Sequence, residues 1–250
     1  MIKVLVHGCN GKMGQQVISC LDSFSDMLLI AGFDKENTGL FTFPVYTKIE
    51  EIEEKPDVII DFSVPLATLS ILSYAKKEKI PMVIATTGFS EAQKQEIQEA
   101  SKEIPIFQSS NMSFEVQVMA NLVAKLAKEL TGTDIEIVET HHNRKIDSPS
   151  GTALFLADSI NESLDHKMTY EMDRHQKHEK RAKNEIGISS IRGGNIVGEH
   201  SVYFFGQNET FEITHKCYSR GVFAEGSIKA AQFLVKQSPG FYTMKDLIKE

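Results

Sequence analysis

The sequence predicts an α/β chain in two parts: a doubly wound parallel sheet at its N-terminal end, then a second α+β domain built on a mixed sheet. Three observations carry this expectation. Strand and helix signals alternate through roughly the first 110 residues, the order that produces a parallel sheet with helical crossovers. The strands of that stretch, such as Val58-Ile59-Ile60 and Met82-Val83-Ile84, are apolar without alternation, as strands buried on both faces are. After Asn111 the pattern changes to period two, first in Asp134-Ile135-Glu136-Ile137-Val138-Glu139, the mark of a half-exposed strand.

The elements follow in order. Residues 2–7 form a short β-rich run, interrupted by Gly8-Cys9-Asn10-Gly11. A helix over residues 12–24 places Met13, Val17, Ile18 and Leu21 on one stripe. Strands are expected over 27–33, 57–61, 82–84 and 104–107. Pro65 starts a helix through residue 77, and Ser90 caps another over 91–102. A long helix over 113–130 leads into the alternating strand at 134–139, and a further helix starts near Gly151. Three alternating strands follow between residues 186 and 217, with turns at Gly193-Gly194 and Gly206-Gln207-Asn208, and a last helix covers 222–235. The domains are accordingly expected at residues 1–112 plus 219–250, and at 113–218.

Composition narrows the function classes. With 41% hydrophobic and 24% charged residues the chain is an ordinary globular protein, and no apolar run is long enough for a membrane span. The N-terminus lacks signal-peptide anatomy, and Cys9, Cys20 and Cys217 are too scattered for a disulfide framework or zinc site, so a reducing cytoplasm is expected. A formal net charge of -7 argues against nucleic-acid or membrane partners, but not against small anions held by local donors. The charge run from Asp173 to Arg181 contains His175-x-x-His178. No further ligand has suitable spacing, so it is read as a solvated loop and no metal is expected.

Gly8-x-x-Gly11-x-x-Gly14 lies at a strand-to-helix turn. A dinucleotide pyrophosphate needs close backbone approach there, together with the N–H donors of a helix N-terminus. The spacing is looser than Gly-x-Gly-x-x-Gly, and a tight β–α turn would use the same residues. Asp34, at the end of the second strand, stands where an acidic residue bonds ribose hydroxyls, which favours a Rossmann-like cofactor domain. Lys12 and Lys35 could each meet a 2′-phosphate, so NADH and NADPH both stay open. Candidate cofactor contacts are Gly8, Cys9, Asn10, Gly11, Lys12, Met13, Asp34 and Lys35. The loops at the carboxyl edge of the sheet add Ala85, Thr86, Thr87, Ser109, Ser110, Asn111 and Met112.

The most informative stretch is Glu139-Thr140-His141-His142-Asn143-Arg144-Lys145-Ile146-Asp147-Ser148-Pro149-Ser150-Gly151-Thr152-Ala153. Two histidines and a lysine offer proton donors and acceptors near neutrality, and Ser150-Gly151-Thr152 at a helix N-terminus offers N–H groups to a carboxylate. A polar surface loop with a helix cap is the plainer alternative. His7, His200 and His215 lie in or beside strands and read as structural.

At these residues the chain closely resembles the dihydrodipicolinate reductase (4-hydroxy-tetrahydrodipicolinate reductase) family over nearly its whole length. The resemblance rests on Gly8-x-x-Gly11-x-Met13-Gly14, Asp61-Phe62-Ser63, Thr86-Thr87-Gly88, Ser110-Asn111-Met112-Ser113, the 141–153 block, Val197-Gly198-Glu199-His200, Glu212-Ile213-Thr214-His215-Lys216 and Ser219-Arg220. It implies hydride transfer from NADH or NADPH to a cyclic imine dicarboxylate in diaminopimelate and lysine biosynthesis, with loss of water. By resemblance His141 is the acid/base group and Lys145 the proton donor, though either could deliver the proton. The resemblance further implies that His142, Gly151 and Thr152 bind the small dicarboxylate substrate and that the strands between 186 and 217 assemble a homotetramer. Three departures stand out: Ala85 stands where the family usually has glycine, the 35–55 segment is shorter than in the longer members, and Asp34-Lys35 departs from the acidic–arginine pair seen in some members. Two other functions fit less well. A non-catalytic dinucleotide-binding redox sensor would have no use for both His141 and Lys145, and a reductase of another small carboxylate would not need so full a dicarboxylate site.

Overall fold

The computed structural model describes residues 1–175 and 177–248; Gln176, which falls in the charge run, lies outside the described residues with Lys249 and Glu250. The chain divides into two compact units, Met1–Ser113 with Arg220–Glu250, and Phe114–Ser219.

The first unit begins with β1 (Ile2–His7), α1 (Lys12–Leu21), β2 (Met27–Phe33), β3 (Val45–Tyr46), β4 (Val58–Asp61), α2 (Pro65–Glu78), β5 (Met82–Ile84), α3 (Glu91–Ala100) and β6 (Pro105–Gln108). Two helices are shorter than their periodicity suggests. After Leu21, Ser23 and Phe24 donate to carbonyls three residues back, which tightens the chain into a turn. Beyond Ala100, Lys102 and Glu103 do the same. Ser90 caps α3 through a reciprocal box with Gln93.

The second unit contains α4 (Phe114–Glu129), β7 (Asp134–His141), α5 (Gly151–Ser163), β8 (Thr169–Glu171), β9 (Glu185–Arg192), β10 (Gly198–Phe205) and β11 (Thr210–Cys217). Its sheet runs β11-β10-β7-β9-β8. β7 pairs parallel with β9 and antiparallel with β10, so the sheet is mixed. α4 and α5 cover one face, where Ile135, Ile137, Ile186, Ile188, Val202 and Phe204 meet Leu156, Ile160 and Val123. Each such side chain contributes roughly 1.5–3 kcal/mol by leaving water. Strand β7 runs two residues past the alternation at 134–139, and this carries His141 onto the sheet.

The described residues of the charge run from 173 to 180 are exposed, as in a solvated loop, yet several of its cations are paired. Arg174 pairs with Glu136 and Glu185, Lys177 with Glu171, and Arg181 with Asp134 and Glu136. Arg181 also donates to the carbonyls of Ile135 and Glu185, both at 2.7 Å. Arg174, Lys177 and Arg181 therefore tie the loop to carboxylates of three strands, β7, β8 and β9.

The chain then returns to the first unit with α6 (Gly221–Leu234), β12 (Gly240–Tyr242) and α7 (Met244–Leu247). The completed parallel sheet has the order β12-β6-β5-β4-β1-β2-β3. Strands proceed outward in both directions from β1, which makes the gap between β1 and β4 the topological switch point where such sheets bind ligands. Leu5 and Val6 face opposite sides and both are fully buried, so helices cover both faces. Strands β3, β8 and β12 were not expected; at two or three residues each, they are too short to show a period. Among the described residues no helix is long and apolar enough to cross a membrane.

Candidate active site

At the carboxyl end of β1 the chain turns sharply. Gly8 has φ +78°, and a Cβ there would stand 2.5 Å from the Phe62 carbonyl oxygen. A Cβ on Gly14 would stand 2.2 Å from the Gly8 oxygen. Both glycines are thus required by backbone meeting backbone, which alone would not imply a ligand. Gly11 differs: it caps α1 without a side-chain hydrogen bond and lines a cavity of about 500 Å³. No acidic residue occupies the first turn of α1 to oppose an anion.

Of the expected cofactor residues, Gly11, Lys12, Met13, Ala85, Thr86, Thr87, Ser110 and Met112 line this cavity. The others lie around it in different ways. Cys9 is fully buried, and burial with Asp34 pushes its thiol up to about 11. Its side chain packs against Gly32, leaving only its backbone to the turn. Asn10 donates its backbone N–H to Asp34 Oδ2 at 2.9 Å and its amide to the Glu36 carbonyl, and accepts from the Thr38 hydroxyl. Asp34 Oδ1 accepts the N–H of Lys35 at 2.8 Å. The Asp34 carboxylate is therefore fixed across the turn, with one lone pair left on each oxygen. Ser109 and Asn111 shape their own loop, Ser109 Oγ donating to the Asn111 carbonyl and Asn111 Oδ1 accepting from Ser113. The fit to a dinucleotide is good: a glycine turn, an uncapped helix start, an oriented carboxylate and a partly apolar cavity.

Phe62, Ser63 and Phe223 line the cavity without having been singled out for it. Phe62-Ser63 follows β4, so the carboxyl-edge rule would have found it. Phe223 sits on α6, more than a hundred residues away in sequence, and no local signal points to it. Beneath the cavity lies Asp61, fully buried. Its Oδ2 accepts from the Thr68 hydroxyl at 2.6 Å and the Thr86 hydroxyl at 2.8 Å, and Oδ1 accepts from Ser63 at 2.6 Å. Thr86 Oγ1 in turn accepts the Ser63 N–H at 2.9 Å. His7, the register partner of Asp61 across β1 and β4, places Nδ1 2.8 Å from Oδ1. Asp61 thus clamps two of the cavity's loops to one strand end.

In the second unit, β7 alternates faces, so Ile135, Ile137, Glu139 and His141 all point to the buried side. The stripe begins apolar and ends with a carboxylate and an imidazole. Glu139 is fully buried and takes a two-pronged contact from Arg192, with Nη1 at 2.8 Å from Oε2 and Nη2 at 2.6 Å from Oε1. His141 Nδ1 lies 2.5 Å from Glu139 Oε2, and the Ser150 N–H donates to Oε1 at 3.1 Å. Burial works to raise the Glu139 pKa, but Arg192, Ser190 and His141 outweigh it and hold the carboxyl at about 2. Burial pulls the His141 imidazole below its ordinary value; Lys145 and Arg192 push the same way, and Glu139 pulls against them.

Ser150 caps α5 by accepting the Ala153 N–H at 3.1 Å, and its hydroxyl lies 2.8 Å from His200 Nε2. Burial, with His141 beside it, pushes the His200 imidazole down to about 3. The His141 and His200 rings meet edge to face, 5.1 Å apart. Lys145 pairs with Asp147 at 2.9 Å, and this contact holds the Asp147 carboxyl below its usual range. His142 donates its N–H to the Ile196 carbonyl, and its Nδ1 is buried without a partner among the described residues. Gly151 opens to space, with no atom within 4 Å of where a Cβ would stand. His141, Lys145, His142 and Ser150-Gly151-Thr152 therefore occupy one strand end, its loop and the helix that follows. Glu139 and Arg192 complete the arrangement; they were not expected. The alternation of β7 itself places Glu139 on the face of Ile135 and Ile137, as a buried carboxylate, but Arg192 comes beside His141 only through the β7–β9 register.

Comparison with known proteins identifies the family. Residues 2–112 match the family model described as dihydrodipicolinate reductase, N-terminus, a dinucleotide-binding fold, and residues 115–248 match dihydrodipicolinate reductase, C-terminus. The chain is 52% identical over 250 residues to the 4-hydroxy-tetrahydrodipicolinate reductase of Caldanaerobacter subterraneus subsp. tengcongensis, covering 100% of this chain and 99% of that one. It is 46% identical over 245 residues to the enzyme of the same name from Clostridium tetani, covering 98% and 96%. Among solved structures, the dipicolinate-bound dihydrodipicolinate reductase of Paenisporosarcina sp. TG-14 shares the fold, with a TM-score of 0.83 at 24% identity and 100% of both chains covered. The chain belongs to the dihydrodipicolinate reductase family.

Proposed function

We propose that this protein is a pyridine-nucleotide-dependent reductase that converts 4-hydroxy-tetrahydrodipicolinate to tetrahydrodipicolinate with loss of water, in diaminopimelate and lysine biosynthesis. In a member of this family, the observation that carries the reading is the buried Glu139–His141 pair bonded to the N-cap of α5. It puts an oriented acid/base group beside a helix start that favours anions.

NADH or NADPH, when bound at the glycine turn, supplies the hydride. The backbone of Gly8, Cys9, Asn10, Gly11, Lys12 and Met13 receives the pyrophosphate, and Asp34 the ribose hydroxyls. Lys12 and Lys35 suit a 2′-phosphate, which supports use of either nucleotide. The loops at Ala85-Thr86-Thr87 and Ser109-Ser110-Asn111-Met112 hold the nicotinamide end. His142, Gly151 and Thr152 bind the carboxylates of a small dicarboxylate, a class supported by the dipicolinate named in the Paenisporosarcina structure.

The substrate hydroxyl leaves with a proton as water, which conjugates the ring. Hydride and a proton then add across it. As the electron pair moves into the ring, Lys145 delivers the balancing proton, with His141 as the acid/base group of the same site. The protein works in the cytoplasm as a homotetramer; Ile191 and Phe205, exposed by 52% and 40% on the face of the second sheet opposite α4 and α5, support that assembly surface.

The test is to generate the substrate with its upstream synthase and follow oxidation of NADH and of NADPH. Turnover with at least one nucleotide is expected. No oxidation with either would overturn the assignment.

A further inference from the structure

We infer that Glu139 is a positioning residue: one buried carboxylate fixes both the ring of His141 and the N-terminal turn of α5, so that the acid/base group and the carboxylate site keep a single geometry. The inference rests on the roles proposed above for His141 and for Gly151-Thr152.

The argument begins with how many bonds this side chain makes. An ionised carboxylate offers about four acceptor sites. Glu139 meets Arg192 twice, His141 Nδ1 once and the Ser150 N–H once, and the Ser190 side chain bonds to it as well, so no acceptor site is idle. Its burial is complete and its carboxyl is held at about 2, so it is ionised at any working pH. An ionised Glu139 can only accept, so His141 must present Nδ1–H to it and carry its reactive lone pair or second proton on Nε2. Nε2 has room because residue 198 is glycine: a Cβ there would stand 3.0 Å from it.

The second arm runs through Ser150. Its N–H is held by Glu139, while its hydroxyl caps Ala153 and touches His200. The direction of the first turn of α5 is therefore referred to the same carboxylate that orients the imidazole. Arg192 closes the set by also donating to the Asp147 carbonyl at 2.8 Å, which ties in the residue that pairs with Lys145. A base that is itself oriented by a third group is the general pattern of such sites.

The test compares Glu139→Gln and Glu139→Asp with the unchanged protein. Nitrogen NMR of labelled histidine reads the His141 tautomer and titration directly. The charged groups facing that ring are Glu139, Lys145 and Arg192, with His200 edge-on, and only Glu139 favours its protonation. The unchanged protein is expected to show the Nδ1–H tautomer. Glu139→Gln should lower the His141 midpoint by roughly one pH unit or more. It should also reduce kcat by about tenfold to a hundredfold and raise KM for the dicarboxylate, with KM for the nucleotide unmoved. Glu139→Asp should recover part of each change.

An Nε2–H tautomer in the unchanged protein would overturn the inference whether or not the variants fold. So would a folded Glu139→Gln with an unshifted His141 midpoint. Absence of turnover in the unchanged protein with a correct tautomer would instead count against the proposed reaction.

Discussion

Asp61 and Glu139 are both completely buried carboxylates at the end of a strand, yet they are compensated in different ways. Asp61 is surrounded by three hydroxyls, from Ser63, Thr68 and Thr86, with the His7 ring beside it. Glu139 is met by a guanidinium, an imidazole and a backbone N–H. The first arrangement uses neutral donors to tie loops together around a cavity lined by small residues together with Lys12, two methionines and two phenylalanines. The second balances charge against charge, and it holds His141, the acid/base group proposed above. A buried charge must be satisfied either way, because leaving it bare costs several kcal/mol. What surrounds it decides whether it serves as a clamp or as part of an electrostatic device.

The contrast is broken most sharply at Lys145. Lys145→Ala is expected to lower kcat by about a hundredfold to a thousandfold while KM for the nucleotide stays within about twofold. Steady-state kinetics would refute the division of labour if nucleotide affinity fell instead.

His200 gives the next largest effect. Its folded value is near 3, against about 6.5 when unfolded, so the unfolded chain takes the proton first. The stability this contributes is fully present above about pH 6.5 and is lost as pH falls toward 3, on the order of a few kcal/mol. The loss expected from Glu139 sets in lower, between about pH 4.3 and its folded value of about 2. Denaturant titrations at stepped pH should show His200→Gln losing the upper part of this slope. An unchanged slope above pH 4 would mean that another group governs it.

Asp34 gives the smallest. Asp34→Asn should raise KM for NADH several-fold, about 1 kcal/mol, and affect NADPH less. Equal changes for both nucleotides would remove the ribose role and leave Asp34 as the tether of Asn10.

The two regions also differ in how far they could be read in the amino-acid order. The glycine turn is legible because its conformational demand is local: Gly8 and Gly14 sit where a side chain would collide with nearby backbone. The long elements are legible because burial repeats at a fixed period, as in β7. Arg192 and Phe223 are not, since each reaches its site only through pairing or packing between distant segments. His200 is the instructive case. A histidine in an alternating strand reads as structural, and it is buried; yet it touches both Ser150 and His141. Its neighbours come from β7 and α5, so only the folded sheet brings them together.

The stripe on β7 has a consequence for quality control. Ile135, Ile137, Glu139 and His141 share a face, so a slip of one residue would bury Glu136, Val138 and Thr140 in their place. Glu136 would then lose the arginines that strap it, and Arg192 would face no carboxylate. The same two-residue rhythm that seals the oily layer also delivers the imidazole. A chain that misaligns this strand forfeits its core and its chemistry together, so turnover doubles as a proofreading signal for correct assembly of the sheet.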